Sequence, residues 1–458
     1  MKRILAVIAA AAIVCPAFAA GAEETPAPEK TPEKETRVKD ELKNHFSLYG
    51  FIRNYFAFDS RESASGTGNL FYYLPFDMEL DSNGEDLNAT PSFRFLSITS
   101  RVGLDVKGYR VGNMDISAKV ETDFYAGLSG STGTATLRLR QAYMKLGWKD
   151  LPMCGDHKAS VSLLMGQAWH PMAADQPDVI SLATGAPFNP FNRSPQVTMD
   201  AGLGKHFTLT AALIYQMQYT SVGPEGASAN YMKYGILPEA YLGFTYRSGG
   251  FLARAGASLL SIKPYREYSE FAGGSENIYK ASGRMTAVSP YFYLQYKYKS
   301  FTLKAKTVYG SAADFLNQVS GYGVTGIDGS HHYSYAATHT SSSWISLSIG
   351  KKVQGMLMAG YINNLGATED MTQYWFFSKD GGNFKNLSQA YRIVPTIVWN
   401  IGKFTLGLEY EMTSAQYGDY VFANGKVAKN GEVLSNGDEA TRHWVTNHRV
   451  QLMTKFNF

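Results

Sequence analysis

The chain has 458 residues and a formal charge of +4, from 43 Lys and Arg against 39 Asp and Glu. That near-neutral balance argues against a nucleic-acid binder, which concentrates positive charge on one face or tail. Only two cysteines are present, Cys15 and Cys154, so a disulfide-stapled scaffold is excluded.

The first segment places Lys2 and Arg3 before an apolar run from Ile4 to Val14, followed by Ala17-Phe18-Ala19. A short basic region, an apolar core and an A-x-A site make residues 1–19 a secretory signal peptide. The apolar run is shorter than the ~20 residues a spanning helix needs, and Val14 stands where a lipoprotein signal before Cys15 would want a small residue. Removing the signal takes away Lys2 and Arg3, leaving about +2 (+4 less two), and makes Cys154 the last thiol, so no intrachain disulfide can form. Residues 20–44 are Pro, Glu and Lys with almost no apolar side chains. Such a composition cannot offset chain entropy and predicts a flexible periplasmic tail; Val38 and Leu42, one helical turn apart, hint only at a short helix.

From residue 45 to 458 the pattern changes to a period of two. About sixteen strand-like segments start near Phe46, Ser92, Asn113, Thr134, Ala159, Gln196, His206, Met232, Phe251, Thr286, Phe301, Ser341, Val353, Gln389, Phe404 and His443. Short turns at 108–112, 204–205, 248–250, 299–300, 351–352 and 402–403 alternate with long polar loops at 61–91, 264–285, 311–340, 366–388 and 415–442. Short turns at one end and long loops at the other are the pattern of an outer-membrane barrel, and neither a β-sandwich nor a propeller alternates this way. Apolar faces recur strand by strand, as in Ile116, Ala118, Val120 and Phe124, or Ala240, Leu242, Phe244 and Tyr246, or Phe404, Leu406, Leu408, Tyr410 and Met412. Without helices to supply a second layer, such faces are expected to meet membrane lipid and outer-leaflet glycolipid, with aromatics, 14% of the chain, forming the interfacial girdles. The last strand, HRVQLMTKFNF, alternates Val450, Leu452 and Phe456 against Arg449, Gln451 and Lys455 and ends at Phe458. It is expected to pair with the first strand and so remove the exposed edge. The expected fold class is an all-β transmembrane antiparallel barrel of about sixteen strands, with short periplasmic turns and long extracellular loops.

The stretch from Thr134 to Gln196 organises the expected interior. In TATLRLRQAYMKLGW, Arg138, Arg140 and Ala142 share one face, and Leu137, Leu139 and Tyr143 the other. After the strand ASVSLLMGQ comes a non-periodic segment from Ala168 to Pro195, too long and too apolar for an ordinary connection, which predicts a loop folded into a pore. The runs RVGLDVKG, AKVETDFY, LRLRQAY, LLMGQAWHPM and FNRSPQV together resemble the DcaP-like porins over Ser97 to Val197, and beyond that stretch the resemblance is one of strand pattern. It implies a trimeric outer-membrane channel of a Gram-negative bacterium with an inward third extracellular loop and a preference for small anionic solutes, often dicarboxylates. The family's coiled coil before the barrel has no counterpart in the short, proline-rich tail.

Alternation predicts inward charges at Arg53, Arg101, Lys119, Arg138, Arg140, Arg254, Lys304, Lys306, Arg392, Arg449 and Lys455, set against Asp105, Glu121, Asp123, Glu239, Glu409 and Glu411. The candidate selectivity residues are Arg101, Lys119, Glu121, Asp123, Arg138, Arg140 and Arg449, a basic strip that would draw anions inward. The competing reading is that Glu121 and Asp123 only pair with these cations to hold the wall together. The candidate constriction comprises Gln176, Asp178, Pro187, Phe188, Asn189, Phe191 and Arg193, narrowest at the turn from Pro187 to Phe191. His331, His332 and His339 lie in a long loop with no Cys or carboxylate at ligand spacing, so no metal is expected, and no cofactor either. The Asn-Gly pairs at Asn424, Asn430 and Asn436 predict tight turns in a projecting last loop. Asn88-Ala89-Thr90 matches a glycosylation sequon, which in a bacterial export context decides nothing. No G-x-S-x-G run and no His patterned with Ser or Asp appears, so no catalytic residues and no enzyme are expected. An adhesion barrel would need only the long loops, but about sixteen strands enclose a conducting width, and the tail is too short to be a transporter's plug.

Overall fold

The computed structural model describes residues 45–66, 70–124, 128–129, 134–152, 158–379, 382–419, 422–423 and 425–458. The signal peptide over 1–19, the tail over 20–44, Cys154 and Asn424 lie outside the described residues. Sixteen strands form one closed antiparallel sheet: β1 (Phe46–Asp59), β2 (Ser92–Leu96 continued by Arg101–Val111), β3 (Met114–Asp123), β4 (Arg138–Pro152), β5 (Lys158–Trp169), β6 (Arg193–Leu203), β7 (Phe207–Ile214), β8 (Glu239–Ser248), β9 (Phe251–Ile262), β10 (Met285–Tyr298), β11 (Phe301–Ser311), β12 (His339–Gly350), β13 (Val353–Gly366), β14 (Leu387–Ile401), β15 (Phe404–Tyr417) and β16 (His443–Asn457). The sheet holds seventeen segments, but both pieces of β2 pair with β1, so 17 − 1 gives sixteen strands. The break in β2 is a turn in which the Ser100 N–H donates to the Ser97 carbonyl at 3.2 Å.

Closure is made by β1 and β16, in register from Phe51 opposite Asn457 to Asp59 opposite Arg449. The N–H of Phe458 donates to the Gly50 carbonyl at 3.1 Å, so no edge is left to pair with another chain. Along β10 and β14 buried and exposed positions alternate residue by residue. The exposed set is apolar, with Val288, Phe292, Ile345, Ile397, Leu408 and Val450 on the outer surface, the band that a lipid solvent requires. No described helix is long and apolar enough to cross a membrane, and the crossing is made by strands.

Two expected strand starts fall elsewhere. Met232 lies in a short helix, α1 (Asn230–Gly235), which ends at Ile236 with φ of +69°, and β8 begins at Glu239 after Pro238. Met232, Tyr234 and Ile236 fit a period of two, but Met232 is drawn under the barrel rim, where its sulfur meets the Gln216 N–H at 3.3 Å. Thr134 belongs to a two-residue bridge with Leu128–Ser129, and the barrel strand starts at Arg138.

An even strand count returns the chain to the side from which it started, which puts His45 and Phe458 at the short-turn, periplasmic end. Protease applied to intact cells should therefore cut near the exposed Gly329 or Gly431, whose loops lie at the long-loop end. Cleavage confined to Gly249 or Gly402 would mean the inverted topology.

Candidate functional site: a basic wall facing inward-folded loops

The basic wall is assembled by strand pairing. Arg101 stands opposite Asp123, Asp123 opposite Arg138, and Arg53 opposite Lys455, so cations from β1, β2, β4 and β16 surround two carboxylates of β3. Arg138 grips Asp123 with two hydrogen bonds of 3.0 Å. Arg140 bridges both acids, donating to Glu121 at 2.8 Å and to Asp123 at 2.8 Å. Arg101 reaches Glu121 only at 3.5 Å, and its Nε, buried, has no hydrogen-bond partner among the described residues. Lys119 lies closer to the short turns, 2.5 Å from Asp105 and donating to the Tyr49 hydroxyl at 2.8 Å.

A β-bulge alters the reading of β4. Glu121 pairs with Gln141 and Thr122 with Leu139, which leaves Arg140 as an extra residue. Arg140 and Gln141 consequently both turn inward onto Glu121, Gln141 at 3.3 Å. Past the bulge the faces exchange: Tyr143 lies opposite Lys119 on the inner side, contrary to the outward place its spacing from Leu139 predicts, and Met144 is exposed outside. Bulges of this kind re-aim side chains where a wall must carry function.

Across a cavity of about 470 Å³ this wall faces Gln176, Ile180, Leu182, Thr184, Trp169 and Phe191, with Phe71 and Met453 at the sides. The segment after β5 therefore does fold inward, and the stretch of it that lines this cavity runs over 176–184. The turn expected to be narrowest is elsewhere. Pro187, Phe188 and Asn189 dock on the opposite wall: Phe188 is fully buried under the Arg392 guanidinium at 4.9 Å, and its carbonyl accepts from the Ser342 hydroxyl at 2.6 Å. Asn189 accepts from Lys306 and from the Trp344 indole, each at 3.0 Å, and the Pro187 carbonyl accepts from Gln318 at 2.7 Å. An apolar turn finds more contact against Gly360 and Trp344 than in a wet passage. A Cβ added at Gly360 would meet the Phe188 ring at 2.8 Å. Gly360→Ala should accordingly cost about 1–3 kcal/mol by overpacking, read as a lower urea midpoint of the refolded barrel, and Phe188→Leu in the same chain should recover part of it.

The remaining residues of the segment are anchors. Asp178 pairs with Lys304 at 2.5 Å and accepts from Ser348 at 3.1 Å; Asp175 pairs with Arg254; Lys306 donates to the carbonyls of Met172 at 2.8 Å and Asp175 at 2.6 Å. Glu409 of β15 accepts the N–H groups of Ile180 at 2.7 Å and Ser181 at 3.0 Å. Arg193 is buried at the start of β6 between Trp169 at 4.9 Å and Phe191 at 5.3 Å, behind the cavity lining.

Arg449 corrects the expected selectivity set. It points inward but is buried, 3.7 Å from Asp59 and 5.5 Å from the Tyr72 ring, because the first long loop also folds into the barrel. That loop's hairpin, Ser63–Gly66 with Phe71–Pro75, has its second strand wholly buried, and the Tyr73 carbonyl accepts from Arg392. The run LFYYLPF inside an otherwise polar loop was the signal for it. Residues 312–324 fold inward as well, where the N–H of Phe191 donates to the Leu316 carbonyl at 2.9 Å.

His331 stacks between Tyr268 at 4.8 Å and Tyr279 at 4.3 Å, His332 contacts the Ser282 hydroxyl at 3.0 Å, and His339 stacks on Tyr309 at 5.3 Å. Gly431 and Gly437, with φ of +80° and +87°, make the tight turns expected of their Asn-Gly pairs.

No family model and no curated protein matches the chain. Among solved structures it is similar to the outer membrane channel DcaP of Acinetobacter baumannii, at 17% identity and a TM-score of 0.55, over 90% of this chain and 97% of that one. It is also similar to an anion-selective porin from Comamonas acidovorans (10% identity, TM-score 0.49, 90% and 99% covered) and to OmpT of Vibrio cholerae (11% identity, TM-score 0.48, 90% and 97% covered). What the chain shares with DcaP at this identity is the fold: it is an outer-membrane β-barrel of sixteen strands, built like a DcaP-type porin.

Proposed function

We propose that the chain is a porin of the Gram-negative outer membrane, a passive diffusion channel for small hydrophilic solutes that prefers anions. The observation that supports the preference is the composition of the 470 Å³ cavity: Arg53, Arg101, Arg138, Arg140 and Lys455 against Glu121 and Asp123, five cations to two acids, a local excess of three. Ion pairing absorbs part of this charge, but Arg101, 3.5 Å from Glu121, is held less closely than Arg138 and Arg140. A second vestibule of about 610 Å³ at the short-turn end, lined by Lys145, Lys149, Lys205, Arg247 and Arg254 against Asp115 and Asp200, continues the positive field. Dicarboxylates as solutes and a homotrimer as the assembly rest on the resemblance to the DcaP-like porins. The chain is not an enzyme in this reading, since His170, Glu239 and Ser258, which do come together, are closed to solvent.

Single-channel recording across a KCl gradient tests the function. A reversal potential of the sign set by chloride supports it. Silent bilayers, or a potential set by potassium, would overturn it, and a detergent-solubilised mass of one chain, stable on dilution, would remove the trimer.

A further inference from the structure

A second cavity, of about 490 Å³, opens among the long loops above the barrel and has a different chemistry. Four connections converge on it: the loop carrying α1, the hairpin Glu267–Ala272 with Ser275–Lys280, and two loops joined as a three-stranded sheet of Tyr333–Ala337, Gly321–Ile327 and Gln373–Phe376. Its lining is tyrosine-rich. Tyr265 stacks on Tyr333 at 4.4 Å and 16°, meets Trp375 edge-on at 5.9 Å, and donates its hydroxyl to Gln373 Oε1 at 2.9 Å. Tyr234 and Tyr268 are half-buried, and Glu225, Asn230, Glu267 and Gln373 stand exposed around them.

We propose that this outer cavity binds a saccharide. A pyranose ring presents patches of C–H on its faces and hydroxyls around its edge. Aromatic faces cover the former, and planar amide and carboxylate side chains such as Asn230, Gln373 and Glu267 pair with adjacent hydroxyls. The volume is that of a small-molecule site, and the lining is more polar than apolar, which suits a hydroxylated ligand. Charge decides against two other ligand classes. Glu225, Glu267 and Arg266 sum to −1, which offers nothing to the anions favoured by the inner wall. A quaternary ammonium is disfavoured by charge, because Arg266, 4.6 Å over the Tyr234 ring, repels a second cation but not a neutral ring. The site would hold its ligand above the inner passage, independently of the ion preference proposed there.

The experiment titrates maltose, lactose and N,N′-diacetylchitobiose, with choline as the competing probe, into the detergent-folded full chain, following tryptophan fluorescence through Trp375. At least one saccharide should bind at concentrations up to about 10 mM and should reduce ionic current when added to the long-loop side. Gln373→Ala and Tyr268→Ala, both at accessible positions, should each weaken it by about tenfold while leaving the reversal potential unchanged. Heat-modifiable migration of each variant verifies that the barrel has folded. The proposal is overturned if none of the three saccharides binds, if choline binds in their place, or if both folded variants bind as tightly as the parent.

Discussion

Replacing Arg138 and Arg140 together with Ala should swing the channel's preference toward cations. The cavity then keeps Arg53, Arg101 and Lys455 against Glu121 and Asp123, so its excess falls from three charges to one. It also strips both carboxylates of their closest partners, since Arg140 bridges the two and Arg138 holds Asp123 from both of its oxygens. At an effective dielectric of about 20 and ~8 Å, each lost charge is worth about 2 kcal/mol before screening. Screening over ~8 Å in physiological salt leaves somewhat less than half of that. Two such charges make the passage about tenfold less favourable to an anion and about tenfold more favourable to a cation, so the permeability ratio moves by about a hundredfold. The shift should shrink in 1 M salt, where the screening length is about 3 Å. Lysine at both positions keeps the charge while losing the forked geometry, so Arg138→Lys with Arg140→Lys should retain most of the parent's preference. A double Ala variant that reverses at the parent's potential would reduce these arginines to wall struts and take away the main support for anion selection.

The barrel was legible because its signals are local and repeated. A period of two, turns of fixed shortness at one end and an aromatic last residue each depend on one strand and its neighbour, so starts at Phe46, Ser92, Phe251, Phe301, Val353, Phe404 and His443 are where the strands begin. The interior was legible only in outline. Alternation shows that Arg392, Arg449, Lys306 and Glu409 point inward, but not that loops descend on them, and inward then means buried under protein instead of washed by solvent. Arg449 misleads for that reason, because its cover is a hairpin from 63 to 75, hundreds of residues away in sequence. The bulge at Arg140 is hidden for a different reason: TLRLRQAY read alone shows only that Arg140 and Gln141 break the alternation, and which residue is extra is defined by register against the neighbouring strand. The turn from Pro187 to Phe191 shows the same limit, since a proline- and phenylalanine-rich loop will seek an apolar surface, and only the folded barrel reveals that Gly360 and Trp344 provide one. Trp169, Ile180 and Leu182, which do face the basic wall, carried no signal beyond lying in a long apolar loop.

Glu409→Ala should open and destabilise the passage without altering its ion preference. The carboxylate accepts four hydrogen bonds, from the N–H groups of Ile180 at 2.7 Å and Ser181 at 3.0 Å, from the Thr396 hydroxyl at 2.6 Å and from Gln451 at 2.5 Å. Removing it orphans two buried backbone donors, at about 1–3 kcal/mol each. The segment from 176 to 184 would retain the Lys304–Asp178 pair, the Ser346 hydroxyl that accepts from the Asp178 N–H at 3.0 Å, and the Tyr55 hydroxyl that donates to the Ile180 carbonyl at 2.6 Å. It would thus loosen most between Val179 and Thr184, opposite Arg101, Arg138 and Arg140. A loss of about 3 kcal/mol makes the released conformer roughly a hundred times more populated, enough to appear as frequent excursions to larger conductance in single-channel records. Glu409→Gln, which keeps one carbonyl acceptor, should fall between the two. Selectivity should survive in both, because no residue of the basic wall is touched, and this separates the variant from the arginine pair: there the ratio moves with little change in pore size, here the size moves with little change in ratio. A steady current at the parent's conductance from Glu409→Ala would show that the segment is held without this anchor or does not set the narrowest width, and the narrow point would then have to be sought where residues 312–324 and the hairpin of the first loop meet.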